Sequence, residues 1–381
     1  MALSIQFAIS FSPFNHAYRF GPVVGALLAI FALILWSPKT TNSTKSKANI
    51  AGDEGIAREI GGEEEPCGWN PESGTTELDE CFLELITYQG REFQNYSVEN
   101  AIYFGPIDDD EIERLELQHR VLSTVFDERL IFPPVDSPKR VLDCGYGTGS
   151  WAVEVAEKYP SCEVIGVDIS PHMRPDETPE NLWLQVDDLN RPFTFKPNYF
   201  DVVHSRLVAS GLHRQRWPSY IRDIKNCTEG NSPTDQIILT IRTLRRGGWV
   251  QMAEIYFNVQ SDNGTITHDH ALRQWSSKYF QSIEDVKDPR VAMNLKGLLE
   301  SAGFANIQTT LINVPLAPWP NDARLRGIGS MNRPNVYSLL GSLALYPLMK
   351  RMNMSREEFE VLVAQARTEV DNLSLKAYFP L

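Results

Sequence analysis

The chain has 381 residues, 42% of them hydrophobic and 22% charged, and a formal net charge of −13. That balance suits a globular protein with room for one large core and additions, and its acidity argues against nucleic acid as a partner, since the densest basic cluster, Arg242, Arg245 and Arg246, is short. Five scattered cysteines without a CxxC pair point to reduced thiols rather than a disulfide scaffold or a zinc site, and the dispersed histidines suggest no metal.

In chain order, residues 1–19 read as a tail and 20–36, "FGPVVGALLAIFALILW", as 17 positions without a charge. That is near the lower limit of about 17 residues for a membrane-spanning helix. The first 18 residues carry no Lys or Arg, which disfavours a signal peptide. The expectation is a single-pass transmembrane helix over 20–36. Lys39, Lys45 and Lys47 beyond it, against Arg19 before it, put the bulk of the chain in the cytosol. Sequons at Asn42, Asn95, Asn226, Asn263, Asn353 and Asn372 would be open to glycosylation if the chain faced a lumen instead. Residues 37–76, rich in Ser, Thr, Gly, Lys and Glu, read as a flexible linker, and 77–381 as one folded domain.

Within that domain, "DDDEIERLELQHRVLSTVF" opens on acids suited to a helix N-terminus and spaces Ile112, Leu115, Leu117, Val121 and Leu122 as one apolar face. Beyond Pro133 and Pro134, strands are expected at 140–143, 163–168, 182–186, 200–204, 249–257 and 307–314, with helices between most of them. This predicts an α/β fold with a predominantly parallel sheet, helices on both faces and helical cap segments. The closing stretch, 322–378, reads largely helical.

In "DCGYGTG", Gly145, Gly147 and Gly149 follow the first of these strands and precede a helix from about Ser150. Glycine suits a backbone that must turn with positive φ and let a ligand lie close. Asp168 closes the next strand, where a carboxylate meets a ribose diol. Position 150 is Ser, so the match is GxGxG rather than the dinucleotide GxGxxG. Asp143, just before the turn, would repel a pyrophosphate but favours a cation. These residues select S-adenosylmethionine, with its sulfonium and ammonium, as the cofactor. Asp187 and Asp188, after the third strand, are placed to accept from an adenine amino group.

"RVLDCGYGTGSWAVEVAEKYPSCEVIGVDISP", "VDDLNRPFTFKPNYFDVVHSRLVASGL", "RRGGWVQMAEI", "LLESAGFANIQ", "APWPNDARLRGIG" and "KAYFP" together resemble the LaeA-like methyltransferases of fungi. The likeness runs from about Thr87 to the C-terminus. It implies a seven-stranded Rossmann-like class I methyltransferase fold, S-adenosylmethionine as methyl donor and a link to fungal secondary metabolism. It also implies that Gly145, Gly147 and Gly149 lie on the methionine side of the cofactor, with Asp143 near its amino group, Asp168 on the ribose and Asp187 or Asp188 at the adenine. Three features depart from that pattern: the anchor and linker, an extra surface loop over 227–238, and a stop at Leu381, where relatives continue into a last strand.

For catalysis, "DVVHSRL" sets His204 and Arg206 at the C-terminal edge of the sheet, and His204 is a candidate general base. Glu254, after the fifth strand, is read in a structural role as a partner for Arg206, with a carboxylate in the substrate pocket as the alternative. Tyr103, Phe104, Trp217, Trp275 and Trp319 fall in segments expected to cap the pocket. The reading that results is methylation of a small-molecule acceptor at oxygen or nitrogen. The alternatives are a regulator of secondary metabolism and a methyltransferase-fold protein that catalyses a non-methylating cyclisation.

Overall fold

The computed structural model describes residues 78–225 and 244–381. The expected tail, span and linker (1–76) and the surface loop over 227–238 lie outside the described residues. The membrane localisation is withdrawn: among the described residues no helix is long and apolar enough to cross a membrane, and the 20–36 segment on which it rested is not among them.

The described chain opens with a hairpin, β1 (Leu85–Tyr88) and β2 (Arg91–Gln94), followed by α1 (Asn95–Glu99) and the long α2 (Asp109–Val125). The acids start α2 as read: Asp108 is its N-cap, accepting the Glu111 N–H at 3.1 Å, and Asp109, Asp110 and Glu111 fill the first turn. Strands and helices then alternate: β3 (Arg140–Cys144), α3 (Ser150–Lys158), β4 (Glu163–Asp168), β5 (Leu182–Val186), β6 (Phe200–Arg206), α4 (Trp217–Ile224) and β7 (Leu244–Ala253). There follow β8 (Gln260–Ser261), α5 (Ala271–Ile283), α6 (Leu295–Ser301), β9 (Asn313–Pro315), α7 (Ala323–Leu345), α8 (Arg356–Asp371) and β10 (Ala377–Pro380).

Five strands form a wholly parallel sheet in the order β5-β4-β3-β6-β7. Side chains alternate between its faces. Leu142, Cys144, Ile165, Val167 and Val203 pack with α4, whereas Val141, Val164 and Val202 pack with Trp151, Ala152 and Val155 of α3. Both faces are covered, which is why these strands read as continuous apolar runs. The chain leaves β3 toward β4 and leaves β6 toward β7, so the order reverses between β3 and β6. Ligands of such sheets bind at that switch point, beyond the carboxyl ends of the strands.

The seven-stranded sheet implied by the resemblance is not what forms among the described residues. β10 instead lies antiparallel between β8 and β9 in a separate three-stranded sheet. The strand expected over 307–314 shrinks to β9 and joins this small sheet, because the stretch before it is poorly buried: Leu311 is 71% exposed and Ile307 and Ile312 are only half-buried. Together with α5, α7 and α8 the small sheet encloses a second core, containing Trp275, Leu340, Leu348 and Phe379.

Candidate functional site

The glycine turn joins β3 to α3. Gly145 has φ +75°, and a Cβ there would come within 2.9 Å of Val208; Gly149 has φ +80°, and a Cβ there would meet Pro175 at 2.9 Å. A side chain is thus refused both by backbone conformation and by space. Asp168 fastens the turn, accepting the Gly147 N–H at 2.9 Å and the Ser170 N–H at 3.0 Å. A carboxylate has about four acceptor positions, so Asp168 keeps capacity for further donors. Burial pushes its carboxyl upward, and these N–H bonds oppose that push.

Above the turn, at the switch point, lies a cavity of about 180 Å³, far more than the roughly 15 Å³ one water needs. Asp143, Gly145, Gly147, Asp168, Asp187, Asp188 and His204 border it, whereas Gly149 stands behind the turn it shapes. Asp143 is buried and accepts no hydrogen bond from the described residues; desolvation pushes it up to about 7, which Arg206 opposes and Asp168 reinforces. The acid pair divides. Asp188 is engaged by the Asn190 backbone and side chain, both at 2.9 Å, and by Arg191 at 3.8 Å. Asp187 accepts only the Asp188 N–H, at 2.8 Å, and is raised by burial.

His204 stands opposite Asp143 on one side and Gln251 on the other in the strand register, so the three form a row on the face covered by α3. Its ring stacks on Trp151 with centroids 3.7 Å apart. Gln251 takes the Phe132 N–H on its oxygen at 2.9 Å and gives its amide hydrogens to Leu130 O and His204 Nδ1, each at 2.8 Å. That assignment makes Nδ1 an acceptor, so the proton sits on Nε2, which is buried without a hydrogen-bond partner among the described residues. Burial, then Arg206 and His119, hold the imidazole far below its usual value and therefore neutral. Glu254 does not border the cavity and does not pair with Arg206. It accepts the Val208 and Ala209 N–H groups at 2.8 and 3.3 Å, and burial pushes it up to about 8.

The cavity is also lined from α2 and α7, with Leu115, Leu122, Leu339, Leu343 and Phe257 giving an apolar wall. Of the five aromatics expected there, Tyr103 alone borders the cavity. Its segment is pinned from behind by Lys287 Nζ donating to Ile102 O at 2.6 Å and His213 Nε2 donating to Ala101 O at 3.1 Å. Phe104, Trp217 and Trp275 are buried in the two cores, where their size fills volume, and Trp319 donates to Ala377 O at 2.8 Å. Sequence reasoning missed Arg114, Gln118 and His119, which border the cavity from α2. The buried face of α2 is Glu111, Arg114, Gln118, His119, Val121, Leu122 and Val125, while Ile112, Leu115 and Leu117 are half-exposed. The spacing of these polar residues with Val121 and Leu122, at three and four, was the available signal.

A parallel five-stranded sheet with a glycine turn and carboxylates at its switch point defines a class I methyltransferase, and the chain belongs to the methyltransferase-domain family, whose sequence model matches residues 117–309. It is a LaeA-like enzyme of that family, dependent on S-adenosylmethionine, and the carboxylate-edged turn fits a positively charged ligand. The chain is 29% identical over 300 residues to the secondary metabolism regulator laeA of Monascus pilosus, covering 77% of this chain and 76% of the relative. It is 28% identical over 293 residues to the protein-methionine methyltransferase laeA of Emericella nidulans, covering 76% and 72%. Among solved structures it is similar to phosphoethanolamine N-methyltransferase 2 of Haemonchus contortus, with a TM-score of 0.38 and 17% identity, covering 69% of this chain and about half (51%) of that one. It is also similar to the [4+2]-cyclase SpnF, with a TM-score of 0.37 and 14% identity over 68% of this chain and 78% of that one.

Proposed function

We propose that residues 77–381 act as one domain that methylates a small, largely apolar acceptor at oxygen or nitrogen in secondary metabolism. The observation that carries this reading is a single cleft with two chemistries: a glycine turn edged by Asp143, Asp168 and Asp187, and an apolar wall of Leu115 and Leu122 from α2 and Leu339 and Leu343 from α7. In this reading Asp143 faces the cofactor's ammonium, Gly145 and Gly147 give its chain room, and Asp168 takes the ribose. Asp187 takes the adenine amino group, since Asp188 is already engaged by Asn190. Bound S-adenosylmethionine supplies an electrophilic methyl group on sulfur. The apolar wall excludes water from the transfer and orients the acceptor, which is where much of the rate of an in-line displacement arises. His204 serves as a neutral donor rather than a base, because Gln251 occupies its free lone pair.

A second reading is favoured by one observation. His119 Nδ1 and His204 Nδ1 are both taken as acceptors, by Arg206 and Gln251, so no imidazole bordering the cleft is free to remove a proton. An acceptor without a proton to lose, such as the methionine thioether named for the Emericella nidulans relative, suits that arrangement. The test is to incubate purified protein with S-adenosylmethionine and either phenol and amine scaffolds or methionine-containing peptides, following S-adenosylhomocysteine release. Release with the scaffolds alone supports the first reading, release with the peptides alone the second, and binding without release from either defeats both.

A further inference from the structure

The mechanism above leaves one group unused. Arg206, the last residue of β6, borders the cavity two positions beyond His204 and therefore on the same face of the sheet as Asp143's partner in the register. Its Nη2 donates to His119 Nδ1 at 3.0 Å, and His119 Nε2 lies 3.0 Å from Glu154 Oε1. A guanidinium has donors only, so His119 must accept on Nδ1 and carry its proton on Nε2, which it gives to Glu154. The relay from α3 through α2 thus fixes the guanidinium by one edge. Its other N–H groups have no partner among the described residues, and neither has the carboxylate of Asp143. The cleft therefore offers one unpaired cation and one unpaired anion beside the glycine turn. A zwitterionic α-amino acid complements such a pair.

We propose that Arg206 receives the α-carboxylate of the cofactor's amino acid and that Glu154 and His119 are positioning residues for it. The inference rests on the cofactor placement of the preceding section. It assigns the site's selectivity: adenosyl compounds bearing the carboxylate are preferred over those without it, through a bidentate-capable guanidinium held from behind.

The matched probes are S-adenosylmethionine and its decarboxylated form, measured by calorimetry on the full chain and on Arg206→Gln and Glu154→Gln. Wild type is expected to bind S-adenosylmethionine about ten- to a hundredfold tighter than the decarboxylated compound, as a charged hydrogen-bond pair warrants. Arg206→Gln should bring that ratio close to one, whatever it does to the affinity for the decarboxylated compound. Glu154→Gln, whose side chain is 43% exposed and outside the cavity, should shrink the ratio severalfold, which a merely structural role would not do. It also decides the matter if Arg206→Gln fails to fold. An equal ratio in wild type, or one that neither variant moves, overturns the proposal while the cofactor placement stands. Failure of wild type to bind either compound overturns the placement itself.

Discussion

Asp143 concentrates the chemistry of the site in one side chain. Its carboxyl is pushed up to about 7 by burial, with Asp168 of β4 adding to the push, Arg206 of β6 opposing it and neutral His204 beside it. Below that value the group is protonated and gives a cation nothing to pair with. Affinity for S-adenosylmethionine is therefore expected to fall about tenfold per pH unit below 7 and to level off above it. Calorimetry across that range checks this, and Asp143→Asn should bind more weakly with the slope gone. Glu254 titrates with the same sign but acts on stability. Its folded value of about 8 exceeds the ordinary 4.5, so the folded state holds the extra proton and loses stability as pH rises from 4.5 through 8. Glu254→Gln should flatten that loss in urea melts at acid and alkaline pH, Asp143, Asp168 and Asp187 leaving part of the slope. Sequence revealed the carboxylates and the glycines because each stands at a strand end with a fixed offset. It could not reveal that Gln251 donates to His204 Nδ1, since that depends on two neighbouring strands coming into register.

At the scale of elements, α2 is where pattern reading failed and packing explains why. Its buried face carries a polar seam against α7. Arg114 bonds Glu111 at 2.7 Å, Gln118 at 2.8 Å and Asn335 at 3.1 Å, and Ser342 closes onto Glu111. A periodicity count that seeks apolar residues finds the half-exposed side instead. Breaking a buried ion pair from one side leaves an uncompensated charge, worth about 3–5 kcal/mol, whereas replacing both partners can be nearly neutral. Glu111→Gln and Arg114→Met should each lose stability on that order, and the double variant much less than the sum. Chemical denaturation of the four proteins tests it; strict additivity would mean the seam is not one unit. By contrast β4 and β5 match their expected bounds, β4 being buried on both faces, and β3 and β6 run one and two residues further. β7 was expected over 249–257 and ends at Ala253 instead, because Glu254 turns aside to bind the 208–209 backbone and Tyr256 bonds Pro380 O at 2.8 Å.

For the molecule as a whole, the sheet was legible and the second core was not, because its small sheet joins strands far apart in sequence. β10 is the middle strand of that sheet. Its backbone bonds reach Leu316 at 3.0 Å, and beyond it Leu381 exchanges two bonds of 2.9 Å with Ile312. Phe379 sits in the core with its ring 5.5 Å from that of Phe257, which borders the cleft. Phe379→Ala removes a buried aromatic and should cost about 3–5 kcal/mol. Cofactor at a hundred times its dissociation constant should restore about 2.7 kcal/mol, in wild type and variant alike, by linkage. The increments are expected to match because the residues assigned to the cofactor lie on the parallel sheet and none on β10, and distant, independent effects add. Thermal melts of both proteins with and without S-adenosylhomocysteine measure the difference. A smaller increment in the variant would mean that the second core helps hold the cofactor.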